Sequence, residues 1–294
     1  EKLCIVCHDG SPAARNVKAD LSKTYRHPMG TVAGKHDQAE NGTPAKYGAS
    51  PTNNRHAECV DCHNPHLARA DAGVPVAPAA SNRLLGVGRV AVINGAAGSA
   101  PLYTYRGPSD QSAVLEYEIC FKCHSSWTTL PATTPSGGAP KDKALQFNLN
   151  NRSYHPVEAA GKNLKINANA FVNNWNAAKT MYCTDCHTSD ATSVRGPHGS
   201  AYGYILKRNS PASSSQRTTA STELCFDCHR YDTYANDNAS DTVKGSSRFN
   251  RPKFTKGHTY HVQQKQRPCY ACHESHGAPT LPHLIVTGRS PGII

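Results

Sequence analysis

Every cysteine in this chain belongs to one short pattern. Cys-x-x-Cys-His occurs six times: Cys4-Ile-Val-Cys7-His8, Cys59-Val-Asp-Cys62-His63, Cys120-Phe-Lys-Cys123-His124, Cys183-Thr-Asp-Cys186-His187, Cys225-Phe-Asp-Cys228-His229 and Cys269-Tyr-Ala-Cys272-His273. Together the copies use all twelve cysteines, so none is left for a disulfide or a catalytic thiol. On a helical turn, positions i, i+3 and i+4 fall on one face, so two sulfurs and one imidazole can meet one planar group. This is the attachment site of c-type haem, in which both thiols bond the porphyrin and the histidine binds the iron. Structural zinc accounts for repeated Cys-x-x-Cys, but it does not require histidine after the second cysteine in every copy. A thioredoxin-like redox motif would occur once, beside a βαβ pattern. The motifs predict six covalent haems.

The chain has 16 histidines, and the motifs account for six. Ten remain: His27, His36, His56, His66, His155, His198, His258, His261, His276 and His283. A threefold repeat selects among them. Each unit holds two motifs with an aromatic-histidine pair between them. The first unit runs from Leu3-Cys4 through Tyr25-Arg26-His27-Pro28 to Cys59, and on to His63-Asn64-Pro65-His66. The second runs from Ile119-Cys120 through Tyr154-His155-Pro156 to Cys183, then Pro197-His198-Gly199. The third runs from Leu224-Cys225 through Tyr260-His261-Val262 to Cys269, then His276-Gly277. Motif starts within the units lie 55, 63 and 44 residues apart.

His27, His155 and His261 share the aromatic setting, and His66, His198 and His276 follow each second motif. Six distal candidates for six irons predict bis-histidine ligation throughout. His258 competes with His261, and the repeat favours His261. His66 lies three residues beyond His63, and a chain covers at most ~3.6 Å per residue. It cannot reach the far face of the same haem, so it must bind another, and the same holds for His276 relative to His273. His36, His56 and His283 have no counterparts in the other units. They read as exposed or propionate-bonding, or as one ligand for a neighbouring molecule. Met29 and Met181 read as packing residues. Two imidazoles leave iron no open position, which favours outer-sphere electron transfer over substrate chemistry. No catalytic residues are expected.

The elements that position these groups should be few. The chain has 22 Gly and 20 Pro, with many Asn, Ser and Thr. The fold class expected is mostly irregular coil with short α-helices and little β, organised around a linear chain of six haems. One-turn helices belong at the motifs. Arg89–Ile93 and Leu102–Tyr105 alternate enough for a small β-hairpin. Val157–Ala178 is the best candidate for a longer helix. The organisation expected is a di-haem module over 1–75, a haem-free linker over 76–118, a second module over 119–200, and a linker plus third module over 201–294.

Hydrophobic residues make up 37%, low for a core in 294 residues, so the haems themselves must supply apolar mass. The formal charge of +11 invites a nucleic-acid reading. Haem propionates offset it, arginine and lysine suit those carboxylates, and there is no basic run. No nucleic-acid partner is expected. No apolar stretch reaches the ~18–20 residues of a membrane helix, and Arg83 and Arg89 interrupt the most apolar region. Haem is attached to this motif outside the bacterial cytoplasm, so the sequence reads as a mature exported chain whose leader has been removed.

The units, with Cys-x-Asp-Cys-His-Asn-Pro-His at Cys59–His66, resemble the doubled Cys-x-x-Cys-His multihaem cytochromes of exported electron-transfer chains. Within that group, six bis-histidine haems in a loop-rich chain resemble the extracellular filament cytochromes of the OmcS type. That resemblance implies subunits stacked end to end, parallel and T-shaped haem pairs in alternation, and a distal histidine donated across the subunit boundary. It also implies redox-protein partners and extracellular acceptors such as metal oxides, with self-association into a homopolymer. The reading is a hexahaem cytochrome carrying electrons at or beyond the cell surface. The alternatives are a soluble periplasmic carrier and, further off, a multihaem reductase of nitrite or sulfur oxyanions.

Overall fold

A computed structural model describes residues 2–29, 57–130, 141–211, 221–250 and 256–287. His36 and His56 lie outside the described residues. The chain is mostly coil punctuated by short helices. The helices are α1 (Lys2–Cys7), α2 (Val17–Leu21), α3 (Cys59–Cys62), α4 (Glu116–His124), α5 (Lys143–Phe147), α6 (Tyr231–Tyr234) and α7 (Asp241–Lys244). Six strands, β1 (Tyr25–Arg26), β2 (Arg89–Ile93), β3 (Leu102–Arg106), β4 (Ser153–Tyr154), β5 (Gly199–Ser200) and β6 (Gly277–Ala278), form three two-stranded sheets among the described residues. Among those residues no helix is long and apolar enough to cross a membrane.

The short helices are fixed by their ends. Side chains of Asn16, Asp142 and Ser240 accept the free N–H groups at the starts of α2, α5 and α7. The longest helix among the described residues, α4, carries Glu116 and Glu118 in its first turn and Lys122 and His124 in its last, which matches the helix dipole. It holds the third motif. The hairpin β2–β3 packs on it, in the register Arg89↔Arg106 through Ile93↔Leu102. Val90 points inward and is fully buried, whereas Ile93 at the tip is 65% exposed.

The larger apolar cluster joins Tyr117 and Phe121 of α4 to Ala144 and Phe147 of α5, with Val157 and Met181. Met181 is therefore core packing. Cys183 and Cys186 border this cluster, so it steadies the fourth motif as well as the third. A smaller cluster holds Phe226, Ala235 and Val262 under the fifth motif.

The stretch 157–178 is not the helix its sequence suggested. Its one regular element is the 3-10 turn Ala168–Ala170. Asn173 and Asn174 take left-handed backbone, with φ of 54° and 59°. The asparagines cap turns instead of propagating a helix: Asn167 accepts from Asn169 N at 3.0 Å and Asn176 from Ala178 N at 2.9 Å.

Beside this stretch, Glu158 faces Asn94, whose Nδ2 donates to Oε2 at 2.7 Å. Burial, followed by the charge of Glu118, pushes its carboxyl up to about 7. A carboxyl raised in the folded state contributes stability below its unfolded pKa, and that contribution is lost as pH rises through the folded value. Glu158→Gln is therefore expected to stabilise the protein above pH 8, by on the order of 2 kcal/mol, and to change little at pH 4. Melting temperatures across pH check this, and an equal gain at both ends would refute it.

Candidate haem centres

Each motif folds as one tight turn. The histidine N–H donates to the carbonyl of the first cysteine at 3.0 Å for His8, 2.8 Å for His63, and 2.9 Å for His187, His229 and His273. His124 closes α4. Where the motif reads Cys-x-Asp-Cys, the aspartate reaches back to the turn's entry. Asp61 accepts from Glu58 N and Asp185 from Tyr182 N, both at 2.8 Å. Asp227 instead binds Lys207 at 2.7 Å and Arg208 at 2.9 Å. None of the twelve cysteines is joined to another in a disulfide, so all remain for haem attachment.

The second, third and fourth motifs lie against one another in chain order, and the fifth lies against the sixth. A hydrogen bond with Cys183, reinforced by burial, raises the Cys120 thiol well above its ordinary value, and Cys225 does the same to Cys269. In the second and third motif pairs, the two leading cysteines therefore touch. Lys122, inside the third motif, donates to the Asp61 carbonyl inside the second at 2.8 Å. Glu116 accepts from Thr184 N at 3.1 Å and from its hydroxyl at 2.9 Å, tying the third motif to the fourth.

Three motif histidines have their orientation fixed from behind. Nδ1–H donates to a backbone carbonyl: His63 to Arg83 at 3.0 Å, His187 to Tyr204 at 2.8 Å and His273 to His283 at 2.8 Å. Each carbonyl sits in a 3-10 turn, Asn82–Leu84, Gly203–Ile205 or Pro282–Leu284. Tyr204 and His283 are left-handed there, with φ of 60° and 58°. With the proton held on Nδ1, Nε2 is free to bind metal. Sequence reasoning missed these turns and left His283 without a structural role. A faint signal exists in Arg83-Leu84-Leu85, Tyr204-Ile205-Leu206 and His283-Leu284-Ile285.

Opposite these rings stand histidines from elsewhere. His63 faces His198 with centroids 6.2 Å apart and planes at 18°. His187 faces His276 at 6.1 Å and 17°. His273 faces His258 at 6.1 Å and 22°. His27 and His124 lie 6.2 Å apart at 48°. Two imidazoles bound to one metal through nitrogens at about 2 Å, each nitrogen about 1.1 Å from its ring centre, have centroids about 6 Å apart. Ordinary aromatic pairs scatter over a wider range. Four pairs within 0.1 Å of one another, each joining a motif histidine to a non-motif histidine, fit the two axial positions of an iron between them. The ring opposite His273 is His258, where the repeat pointed to His261.

Two strand pairs place the opposing rings. Tyr25↔Ser200 and Arg26↔Gly199 set His27 beside His198. Ser153↔Ala278 and Tyr154↔Gly277 set His155 beside His276, and His155 N donates to the His276 carbonyl at 2.8 Å. Each clip thus joins the aromatic-histidine segment of one motif pair to the histidine-glycine segment of the next. His155 also lies close enough to His229 for its charge to act on it.

Burial holds six of the histidines here neutral. It pushes His198 to about 4 and His258 to about 3, with neighbouring histidines adding to the effect. His229 is likewise held at about 3 by burial, then by His155 and His273. His155 and His187 are lowered and His276 is lowered well below the ordinary value, each chiefly by burial. Neutral imidazole is the form that ligates iron.

His8 and His66 are exposed, and no described histidine ring stands opposite either at this distance. His261 is half-buried; its Nδ1 donates to Gly257 O at 2.9 Å and its ring stacks on Phe249.

Motif turns, neutral facing imidazoles and touching cysteines in a coil-rich chain define a multihaem c-type cytochrome. Residues 106–281, more than half of the chain and including four of its motifs, match the family of outer membrane cytochrome MtrC/MtrF-like, domains II/IV, and the chain belongs to that family. No curated protein and no solved structure matches it. Membership makes this an electron-transfer protein with covalent haem, of the class that moves electrons at the cell surface and beyond.

Proposed function

We propose that the chain binds six haems, each iron held by two histidines, and that copies join end to end into an extracellular electron-conducting filament resembling the OmcS type. The observation that carries the ligation is the set of histidine pairs at 6.1–6.2 Å. The distal partners are His198 for His63, His27 for His124, His276 for His187, His155 for His229 and His258 for His273. Bound haem supplies a one-electron iron couple. The chain's own part is to fix the rings, keep them neutral and hold successive sites in contact, which the carbonyl turns, burial and touching cysteines accomplish. The three di-haem modules remain the natural unit of this organisation.

The exchange of histidines between motif pairs supports the polymer. The first two aromatic-histidine segments reach the first motif of the next pair, His27 lying 6.2 Å from His124 and His155 close enough to His229 for its charge to act on it. Continued one step, the rule carries His261 to His8 of the next copy. With that step all six irons are served without His66, which lies exposed beside the second motif instead of serving as the distal ligand the repeat suggested. Redox proteins and external acceptors such as metal oxides are the partners this reading implies.

Cryo-electron microscopy and electron paramagnetic resonance of the haem-loaded protein test both parts. Filaments with wholly low-spin iron are expected. His258→Ala is expected to convert one haem to high spin, whereas His261→Ala should break the filaments and free the site at His8. Discrete particles at monomer mass across salt and concentration would refute the polymer and leave a soluble carrier. A high-spin site within intact wild-type filaments would refute complete bis-histidine ligation and favour a reductase.

A further inference from the structure

At the His273–His258 centre the distal ring is held by a side-chain hydroxyl. His258 Nδ1 lies 2.6 Å from the Ser247 hydroxyl oxygen, and Ser247 is 6% exposed. The hydroxyl is fixed by its frame. Ser247 N donates to Lys244 O at 3.1 Å, and Asn250 N donates to Ser247 O at 3.0 Å. Asn250 Nδ2 donates to Thr233 O at 2.7 Å, and Thr259 N donates to Asn250 Oδ1 at 3.2 Å. Phe249 and Tyr234 wall the His258 ring edge-on, each with centroids 5.0 Å away. Across the pair, His273 Nδ1 donates to the His283 carbonyl. Both rings of this centre are therefore anchored at Nδ1.

We propose that Ser247 is a positioning residue that tunes the haem held at Cys269, Cys272 and His273. The assignment rests on His258 being the distal ligand. With Nε2 on the iron, the only ring proton of His258 is on Nδ1, so the serine oxygen accepts it. Accepting a hydrogen bond from that N–H increases electron density on the ring and makes it a better donor to ferric iron. Ferric haem is then favoured over ferrous, and the one-electron reduction, which takes its electron from a neighbouring haem, falls to a lower potential. The serine also fixes the ring plane, which sets the low-spin spectrum of this site.

The test is a stepwise potentiometric titration of the haem-loaded protein, followed optically, with resonance spectra of the oxidised form. In Ser247→Ala, one of the haem waves is expected to move to higher potential while the iron stays low-spin. Ser247→Asp, which accepts the same proton as an anion, should move that wave lower. Ser247→Thr, which keeps the hydroxyl, should leave it in place and serves where alanine destabilises the fold. Unmoved waves in both the alanine and aspartate variants, or shifts of the same sign in both, would overturn the proposal. If His258→Ala leaves every iron low-spin, the ligation reading itself fails. High-spin iron in that variant together with unmoved waves in the serine variants would refute only the role of Ser247.

Discussion

Gly277→Ala is expected to turn one haem from low-spin to high-spin and to cost about 3 kcal/mol of stability. A Cβ at Gly277 would collide with the backbone carbonyl of Gln146, and it would crowd the Ser153 carbonyl at 3.3 Å. The Gln146 carbonyl cannot give way. Asn151, fully buried, donates to it at 2.9 Å and to Leu145 O at 2.8 Å. Relief must come from β6 leaving β4, and His276, the residue before Gly277, then swings away from His187. Gly199→Ala repeats the experiment at the other clip, where the added carbon meets the Asp20 carbonyl. There the ring displaced is His198, opposite His63. Gly73 is the control, since nothing lies within 4 Å of a Cβ built on it. Spin state and denaturant midpoints are the measurements. A Gly277→Ala protein that stayed low-spin and as stable as Gly73→Ala would refute the clip as the device that aims the distal ring.

This clip shows where a sequence stops being readable. The haem motifs are legible because covalent attachment demands fixed residue types at fixed spacing. A coil-rich fold follows from the Gly and Pro content and the sparse apolar residues. The hairpin β2–β3 is visible as alternation from Arg89 to Ile93, because its strands are five residues long. A two-residue strand has no period to detect, so β1, β4, β5 and β6 leave no such trace. The carbonyls behind His63, His187 and His273 are backbone atoms, and their side chains are as different as Arg83, Tyr204 and His283. His258 stands opposite His273 because the turn through Ser247 and Asn250 places it there, and that turn lies outside the aromatic-histidine repeat. The asparagines of 157–178 misled for a related reason. Spacing alone does not reveal whether a polar side chain will cap a turn or face solvent on a helix.

Arg89→Met should be the most damaging single change away from the haem motifs. The Arg89 side chain is 1% exposed. Its Nε donates to Glu118 Oε2 at 3.1 Å, and its Nη2 donates to Asp110 Oδ1 and to Ser112 O, both at 2.9 Å. The guanidinium thus ties β2 to α4, and α4 carries Cys120, Cys123 and His124. Burial raises the Glu118 carboxyl, and Arg106 and Arg89 oppose that rise. Methionine fills similar space but strands Glu118 as a buried, poorly compensated charge, which costs about 3–5 kcal/mol. The loss has a pH signature. Without Arg89 the Glu118 pKa climbs further, so the variant loses most stability above that pKa and recovers as acid protonates the carboxyl. Removing the second charge as well, in Arg89→Met with Glu118→Leu, should restore most of the stability at pH 7, because the penalty lies in the unpaired ion. Denaturant unfolding of the three proteins at pH 5 and pH 8 separates these terms. A single variant that loses under 1 kcal/mol at pH 8, or a double variant no better than the single, would show that the ion pair does not secure α4. If it does, the single variant also loosens His124 against His27, and the haem spectrum of that site changes in the same proteins at the same pH.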